Sequence, residues 1–279
     1  MTRDFQGKGA FVTGAASVIG LAITRALVTA NMRVMLADIE ENALYAALAD
    51  LKASGADVRA VVCDVSDRAS VQRAAEQTFA AFGKVHLVCN NAGVGVGGQF
   101  ETIAPNDWEW VLSVNLMGVV HGVQAFLPHI KAHGEDAHIV NTASLAGMAC
   151  PPGTAPYNAS KFAAVALSET LAAELAGTPI GVSVLCTAFV RTRIATSSRN
   201  RLPRFGGPVN QSNAQLEALV QGGLDPETVA RRVMAAVRDN DLYIFTEQEH
   251  RPVVEGRFGQ ILAAFDKAAN AQQSRGGIS

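Results

Sequence analysis

Short apolar runs alternate with stretches of helical spacing along almost the whole chain, which limits the folds open to it. The apolar runs, rich in Val, Ile and Leu, lie near residues 9–13, 33–38, 58–62, 85–89, 137–142, 181–186 and 242–245. The helical stretches between them are residues 19–30, 41–53, 68–82, 107–131, 156–176 and 226–238. Strands that are buried on both faces and joined by helices are typical of parallel sheets. The sequence therefore predicts an α/β fold, a doubly wound parallel sheet of about seven strands with helices on both faces.

The first apolar run leads into a glycine-containing turn and then into a helix. Residues Gly9–Thr13 have the composition of a buried strand, and a turn with glycines at Gly14 and Gly20 follows. A strand, a glycine turn and a helix N-terminus form the geometry that holds a pyrophosphate. The second run ends in Asp38, whose carboxylate can accept hydrogen bonds from an adenosine ribose and would repel a 2′-phosphate. This order predicts a dinucleotide site in a Rossmann-type sheet.

A second group of polar residues lies in the C-terminal half of the chain. Tyr157 and Lys161 are four residues apart and share one face of a predicted helix, and Ser144 precedes them. A tyrosine has a pKa of about 10, so a nearby positive charge is needed to favour its phenolate at neutral pH. Lys161 is placed to supply that charge. Because such a pair also occurs by chance, it predicts chemistry only together with the dinucleotide site.

The motifs resemble those of the short-chain dehydrogenase/reductase family, in order, from about residue 7 to about residue 247. The matching segments are Thr13–Gly20, Asp64-Val65, Asn90–Gly93, Val114–Gly118 around Asn115, and Ser144 with Tyr157 and Lys161. The resemblance implies a catalytic set in which Tyr157 is the acid/base and Ser144 binds the substrate oxygen. It also implies that Lys161 holds the nicotinamide ribose and that Asn115 anchors a water linking Lys161 to solvent.

The resemblance also implies a set of cofactor contacts. The implied contacts are Gly14, Ser17, Val18, Ile19, Gly20, Asp38, Ile39, Asp64, Val65, Asn91, Ala92, Gly93, Tyr157, Lys161, Val190 and Thr192. Two positions depart from the family pattern. Val18 replaces the middle glycine of the turn, where a β-branched side chain disfavours positive φ and approaches the phosphates. Thr187-Ala188 replaces a Pro-Gly pair, and Thr192 keeps its expected contact with the nicotinamide amide.

The residues around Asp38 favour NAD as the cofactor over NADP. Asp38 is followed by Ile39, so no arginine stands where a 2′-phosphate would bind. Ser17 replaces the basic residue often found there in NADP-dependent relatives, and Glu40 and Glu41 add negative charge. The alternative is an NADP-dependent ketone reductase, which catalyses the same type of reaction with the other cofactor.

Two regions are expected to face the substrate, which we predict to be a hydrophobic, bulky secondary alcohol or its ketone. Residues Val94–Gly98 and Leu145–Pro156 are mostly small or apolar, although they could equally be plain loop and core residues. Residues 193–224 read as an irregular insertion with one short helix near 214–220, and we expect it to form a substrate lid. Its candidate apolar wall residues are Leu202, Phe205 and Val209. Its basic residues, which either face solvent or meet acidic groups, are Arg199, Arg201 and Arg204.

Three other classes of protein remain open. A halohydrin-dehalogenase-like lyase shares the fold and the Ser and Tyr, but it has Arg in place of Lys161 and fills the nicotinamide site. A non-catalytic dinucleotide-binding protein, such as a redox sensor, has no reason to keep Asn115, Ser144, Tyr157 and Lys161 together. A related epimerase or dehydratase generally has a longer chain and a different glycine spacing.

Length and charge exclude several further classes. The chain has 279 residues, 49% of them hydrophobic, which suits a single domain spanning 1–279 with a C-terminal extension at 247–279. The net charge of −2 excludes a strongly basic nucleic-acid surface. We expect no signal peptide, no membrane-spanning run and a cytoplasmic location.

No metal is expected, because His129, His133 and His138 have no carboxylate or thiolate to complete a site. The family resemblance implies a homodimer or homotetramer.

Overall fold

A computed structural model describes residues 4–209 and 214–276 of the chain. Within them, seven strands form one parallel sheet in the order β3-β2-β1-β4-β5-β6-β7. The strands are β1 (Gly9–Thr13), β2 (Arg33–Asp38), β3 (Val58–Val62), β4 (Leu87–Asn90), β5 (Ala137–Thr142), β6 (Ile180–Cys186) and β7 (Tyr243–Phe245). Each strand lies within two residues of its predicted bounds, so the predicted doubly wound sheet is confirmed.

Helices flank the sheet on both faces. In chain order, the helices of the described residues are α1 (Val18–Thr29), α2 (Glu41–Ala53), α3 (Arg68–Phe82), α4 (Pro105–Leu112), α5 (Gly118–His133), α6 (Ala155–Glu174), α7 (Ala214–Gln221), α8 (Pro226–Asp239) and α9 (Arg251–Gly276). The start of α8 follows the predicted signal, since the Asp225 side chain accepts a hydrogen bond from the Glu227 backbone N–H.

The sheet separates two hydrophobic cores. Successive strand residues point to opposite faces, so Val12 packs into one core and Phe11 into the other. The first core includes Leu27 of α1 and Val233 of α8, and the second includes Phe126 of α5. The two cores fix the strands, and thereby the position of the loops at their carboxyl ends.

The helices α4 and α5 form one continuous helix, Pro105–His133, through a π-helical turn at Ser113–Met117. By length and composition alone this helix could cross a membrane, so the prediction that no run is long enough was wrong. Half of its most apolar window is buried inside the protein, where Phe126 and Ile130 are fully covered. Core packing explains the apolar composition, and one such helix is weak evidence for a membrane span.

The segment that follows β6 is more ordered than the sequence suggests. Residues Ile194–Asn200 and Pro203–Phe205 form short 3₁₀ helices, and α7 lies where a short helix was expected. An isolated bridge between Val190 and Leu224 joins the two ends of the segment. We call residues 193–209 the strap. Residues 210–213 of the predicted insertion lie outside the described part of the chain.

The chain divides into two compact units, Met1–Thr246 and Glu247–Ser279. The first unit contains the sheet and all the candidate site residues. The second contains α9, whose described side chains are mostly exposed. This helix is longer than the amphipathic stretch predicted at 254–268, because helical backbone continues through the Gln/Asn/Ser-rich residues to Gly276.

Candidate active site

The glycine turn after β1 has the shape of an anion cradle. Gly14 has a φ of +64°, a conformation that L side chains rarely adopt. A Cβ atom on Gly20 would lie 2.1 Å from the Gly14 carbonyl oxygen, so α1 can approach the turn only with glycine there. Within the described residues, the Ser17 side chain does not cap the first turn of α1. A helix N-terminus without a side-chain cap favours a bound anion such as a pyrophosphate.

Val18 does not strain this turn. Among the described non-glycine residues, only Asn31 and Asn240 have positive φ, and Val18 is the first residue of α1. A β-branched residue tolerates this helical conformation, so the expected conflict with positive φ was wrong. The partly exposed Val18 side chain lies beside Ile19 at the start of the helix, where both were predicted to meet the cofactor.

Asp38 lies at the carboxyl end of β2 and holds the turn in place. Its Oδ2 accepts a hydrogen bond from the Ala16 backbone N–H (2.9 Å), and its Oδ1 accepts one from the Glu40 N–H (3.0 Å). Burial raises the pKa of this carboxyl, while the hydrogen bonds act in the opposite direction. Asp38 and the adjacent Ile39 therefore border the turn from the side on which an adenosine ribose was expected.

Thr13 links the turn to the loop after β4, a role that motif reasoning missed. Its Oγ1 accepts hydrogen bonds from the backbone N–H groups of Asn91 (2.9 Å) and Ala92 (3.0 Å). The Asn91 Nδ2 donates in turn to the Thr13 carbonyl oxygen (3.0 Å). The position of Thr13 directly before Gly14 was the available signal. These bonds bring Asn91, Ala92 and Gly93 beside the glycine turn.

Asn115 lies in the π-helical turn and is fully buried. Its Oδ1 accepts from the Val94 N–H (2.8 Å), and its Nδ2 donates to the Val94 carbonyl (2.9 Å) and to the Ser160 hydroxyl (3.1 Å). The side chain therefore fixes the loop after β4 against α6. Its amide atoms are engaged there, and the predicted water contact stays a prediction.

Lys161 is a buried cation beneath Tyr157. The lysine is 2% exposed, its Nζ donates to the Thr142 carbonyl oxygen (2.8 Å), and it lies 5.5 Å from the centre of the Tyr157 ring. Burial lowers the pKa of Lys161 to about 8. A Cβ atom on Gly93 would lie 3.5 Å from both this Nζ and the Asn115 Oδ1. The structure thus brings the Gly93 loop, Asn115 and Lys161 together.

Burial also dominates the titration of Tyr157. Its pKa is raised above the ordinary value because the phenolate would lose its water shell, and a hydrogen bond with Ser144 acts in the opposite direction. The sequence predicted that Lys161 favours the phenolate; burial decides the net direction, and the contribution of Lys161 stays a prediction. The ammonium of Lys161 is directed to Thr142 and is itself destabilised by burial.

Ser144 is held by the segment that departs from the family pattern. Its Oγ donates to the Thr187 carbonyl (3.3 Å) and accepts from the Ala146 N–H (3.1 Å). The Thr187 hydroxyl accepts a hydrogen bond from the hydroxyl of Thr246 (3.0 Å), just after β7. Threonine in place of proline therefore adds a link between the ends of β6 and β7 while its carbonyl supports Ser144.

The remaining predicted contacts lie at the same edge of the sheet. Thr192 accepts a hydrogen bond from the Ile194 N–H (3.4 Å), close to the buried Val190. Asp64 follows β3, and its Oδ1 accepts from the Ser66 hydroxyl (2.6 Å). The adjacent, buried Val65 has its carbonyl within hydrogen-bond distance of the His121 ring (2.9 Å).

The two predicted substrate-facing loops meet. The Gly98 N–H donates to the Gly153 carbonyl (2.9 Å), and the strap joins them because Ser197 exchanges two hydrogen bonds with the backbone of Gly95. The candidate wall residue Phe205 is buried in a cluster with Trp110 and Val94, and its contact with a substrate stays a prediction. Leu202 packs on this cluster and Val209 is exposed. The strap arginines 199, 201 and 204 all meet acidic groups.

A histidine cluster lies near the opposite edge of the sheet. The ligand atoms of His86, His133 and Glu135 lie within 4.8 Å of one another, so the argument that no carboxylate accompanies His133 was wrong. Both ring nitrogens of His133 have partners, the Glu135 N–H (3.1 Å) and the Val85 carbonyl (3.0 Å). His86 meets Glu135 (2.9 Å) and the Gly9 N–H (3.4 Å). These bonds occupy the nitrogens that would bind a metal.

Comparison with known proteins agrees with this geometry. A family model described as short chain dehydrogenase matches residues 8–203. The chain belongs to the short-chain dehydrogenase/reductase family. The C alpha-dehydrogenase of Sphingobium sp. strain SYK-6 is 36% identical to it over 265 residues, which cover 93% of this chain and 87% of that protein.

Solved structures of family members superimpose closely. A short-chain dehydrogenase/reductase from Burkholderia phymatum in complex with NAD is 42% identical, with a TM-score of 0.91 over 94% of this chain and 96% of that one. An alcohol dehydrogenase from Thermococcus sibiricus in complex with 5-hydroxy-NADP is 26% identical, with a TM-score of 0.71 over 86% of this chain and 96% of that one. Complexes with NAD and with a 5-hydroxy-NADP therefore both occur among structures similar to this chain.

Proposed function

We propose that this protein is an NAD-dependent oxidoreductase that interconverts a hydrophobic secondary alcohol and its ketone, with Tyr157 as the acid/base. The observation that carries the proposal is the convergence of Ser144, Tyr157 and Lys161 at the sheet edge that also holds the glycine turn. Neither a lyase that has arginine at the lysine position nor a simple binding protein explains this combination.

The residues present fit a nicotinamide dinucleotide. The glycine turn and the N-terminus of α1 would bind the pyrophosphate, and Asp38 would meet the adenosine ribose. The loop at Asn91–Gly93 and Thr192 would border the nicotinamide. When bound, this cofactor supplies hydride acceptance and donation, and the protein supplies orientation and proton transfer.

The protein's own part in the reaction is a proton transfer at the substrate oxygen. In alcohol oxidation, the Tyr157 phenolate accepts the hydroxyl proton as the carbonyl forms, and in ketone reduction the phenol returns it. Ser144 holds the substrate oxygen by a hydrogen bond. Lys161 would hold the ribose next to Tyr157, and the hydrogen bond with Ser144 opposes the burial that raises the pKa of the phenol.

NAD is preferred over NADP in this proposal because of the charges near the ribose. Asp38 places a carboxylate at the end of β2, and Glu40 adds a second one two residues later. The Asp38 carboxylate would repel a 2′-phosphate. The charge of Glu40 is compensated by Arg199 and Arg193, which both pair with it, so Asp38 carries the preference. The Burkholderia phymatum protein in complex with NAD supports the preference, while the Thermococcus sibiricus complex keeps NADP as the alternative.

A hydrophobic substrate is supported by the lining of the loops that meet beside Tyr157. Met148 and Ala149 follow Ser144, Val94 lies in the loop after β4, and all three side chains are apolar and buried. None of these side chains carries a charge that would bind a phosphate or a carboxylate. Few fixed polar groups suit an apolar alcohol or ketone, whose orientation depends on one hydrogen-bonded oxygen.

Replacing Tyr157 tests the proposal. Hydrophobic secondary alcohols are screened with NAD by the absorbance of the NADH formed, and ketones with NADH by its loss. We expect Tyr157→Phe to lower turnover by at least about 100-fold while leaving NADH binding within about threefold, because only the proton-transfer group is removed. Tyr45→Phe, an exposed tyrosine on α2, is the matched control and keeps full activity. Retained turnover in Tyr157→Phe would exclude the mechanism.

A further inference from the structure

The strap reaches from the nicotinamide side of the site to the adenosine side. It starts directly after Thr192, and its Arg199 donates to both carboxylate oxygens of Glu40, at 2.6 and 3.2 Å. Asn200 donates to the same carboxylate at 2.9 Å. Glu40 lies two residues after Asp38, so these contacts are made where the adenosine ribose is expected.

A second arginine of the strap reaches the neighbouring strand end. Arg204 forms an ion pair with Oδ2 of Asp64 (2.5 Å) and donates to the Ser66 hydroxyl (2.7 Å). Asp64 follows β3, and β3 pairs with β2 in the sheet. Arg199 and Arg204 therefore contact the two strand ends that flank the adenosine side of the dinucleotide site.

The backbone that carries these two side chains is fixed by a buried residue. Arg201 is 6% exposed, pairs with Asp107 of α4 and donates to the Phe205 carbonyl (2.7 Å). Its guanidinium lies 5.3 Å from the centre of the Trp110 ring. This anchor holds the middle of the strap. The Arg199 side chain is held further by its Nη1, which donates to the Thr196 carbonyl (2.9 Å), so breaking its pair with Glu40 leaves the strap backbone in place.

We propose that Arg199 and Arg204 close the adenosine end of the dinucleotide site and retain the cofactor, so that its release requires both ion pairs to break. The inference rests on the proposed function, since it assumes a nicotinamide dinucleotide in that site. Both arginines act as positioning residues through Glu40 and Asp64. Hydrogen bonds from Arg199 also hold the pKa of Glu40 below its usual range, so mild acid leaves this carboxylate ionised and the ion pair intact. Added salt is therefore used to weaken the ion pair by screening the two charges.

The rate of NADH release measures this closure. Enzyme preloaded with NADH is mixed with excess NAD in a stopped-flow instrument, and the loss of nicotinamide fluorescence is followed. At low salt we expect release to be about threefold faster in Arg204→Ala and about tenfold faster in Arg199→Ala, whose lost pair is bidentate and less exposed. The double variant should exceed either single variant. Arg204→Lys, which keeps the charge, should fall between wild type and Arg204→Ala.

Salt and a control variant separate closure from a general loss of stability. Wild-type release should accelerate in 1 M KCl toward the rate of the double variant, which itself should respond little. Arg25→Ala breaks an exposed Arg–Asp pair between α1 and α2, outside the site, and should release NADH at the wild-type rate. Unfolding curves of all variants identify any that fold poorly.

Three results would overturn the inference. Equal release rates in wild type and the double variant would show that the arginines do not retain the cofactor. Slower release in Arg204→Ala would show that Arg204 competes with the adenine for Asp64. Wild-type protein that binds neither NADH nor NADPH would overturn the proposed function as well, which distinguishes that failure from the first two.

Discussion

At the scale of single residues, burying the ammonium of Lys161 lowers the stability of the folded protein. Burial lowers its pKa from 10.5 to about 8, a difference that corresponds to about 3 kcal/mol of unfolding free energy at neutral pH. The hydrogen bond to the Thr142 carbonyl offsets part of this cost. A charge kept in such a place is typical of a functional site.

The stability of a Lys161→Met variant tests this cost. The unfolded protein binds more protons than the folded protein between pH 8 and pH 10.5, so the contribution of Lys161 to wild-type stability rises with pH in that window. The stability of the variant relative to wild type should therefore fall by about 2.5 kcal/mol from pH 7 to pH 10. Urea unfolding at both pH values measures this difference.

Lys131 is exposed, and Lys131→Met is the matched control for Lys161→Met. Its stability relative to wild type should not change with pH in the same window, because an exposed ammonium is hydrated in both states. A Lys161→Met difference that is equally independent of pH would contradict the burial argument.

The candidate catalytic residues could be found from sequence, but their electrostatics could not. Tyr157 and Lys161 share a helix face at a spacing that any helix fixes, and Ser144 follows a recognisable strand. The pKa of Tyr157 depends on how much protein surrounds the phenol, which no local pattern encodes. The hydroxyl link between Thr187 and Thr246 joins residues 59 positions apart and was equally invisible.

At the scale of elements, Val18 lies where the glycine turn passes into α1, and its substitution tests how this element binds the cofactor. Since Val18 has a helical backbone, Val18→Gly should lower stability by up to about 1 kcal/mol through helix propensity. NADH affinity should change by less than about threefold in Val18→Gly and in Val18→Ala, which removes the branched side chain without glycine's freedom. Equilibrium fluorescence titrations measure both. Binding that is tenfold tighter in either variant would show that the valine obstructs the phosphates.

The unfolding free energy should fall more when the buried arginine of the strap is removed than when an exposed arginine is removed. Arg201→Ala removes a buried partner of Asp107 and the Phe205 carbonyl, and we expect it to lower unfolding free energy by about 3 kcal/mol. Arg204→Ala removes an ion pair whose arginine is half-exposed, which should cost less than about 1 kcal/mol. Urea unfolding compares the two. Equal losses would contradict the assignment of Arg201 as the anchor of the strap.

The bounds of the elements followed from periodicity, whereas the contacts of the strap did not. Buried strands and amphipathic helices repeat every two or 3.6 residues, so the bounds of all elements before α9 that were predicted from periodicity fell within two residues of the prediction. The arginines of the strap were recognised as candidates for acidic partners. Their partners could not be chosen, because Glu40 lies 159 residues from Arg199 and Asp64 lies 140 residues from Arg204.

At the scale of the whole molecule, the parallel sheet determines where the site lies. Strand order reverses between β1 and β4, and the carboxyl ends of the strands carry Gly14, Asp38 and Ser144 to one edge. Ligands of open α/β sheets bind at such a switch point. The alternation of strands and helices was sufficient to predict this arrangement, since right-handed crossovers leave few other topologies.

The most direct test of an NAD-dependent oxidoreductase is a titration of the purified protein with NADH and, separately, with NADPH, followed by nicotinamide fluorescence. The carboxylate of Asp38 predicts that NADH binds at least about tenfold more tightly than NADPH. Equal or tighter binding of NADPH would contradict the assignment of Asp38 as the selector. Binding of neither would contradict the dehydrogenase function itself.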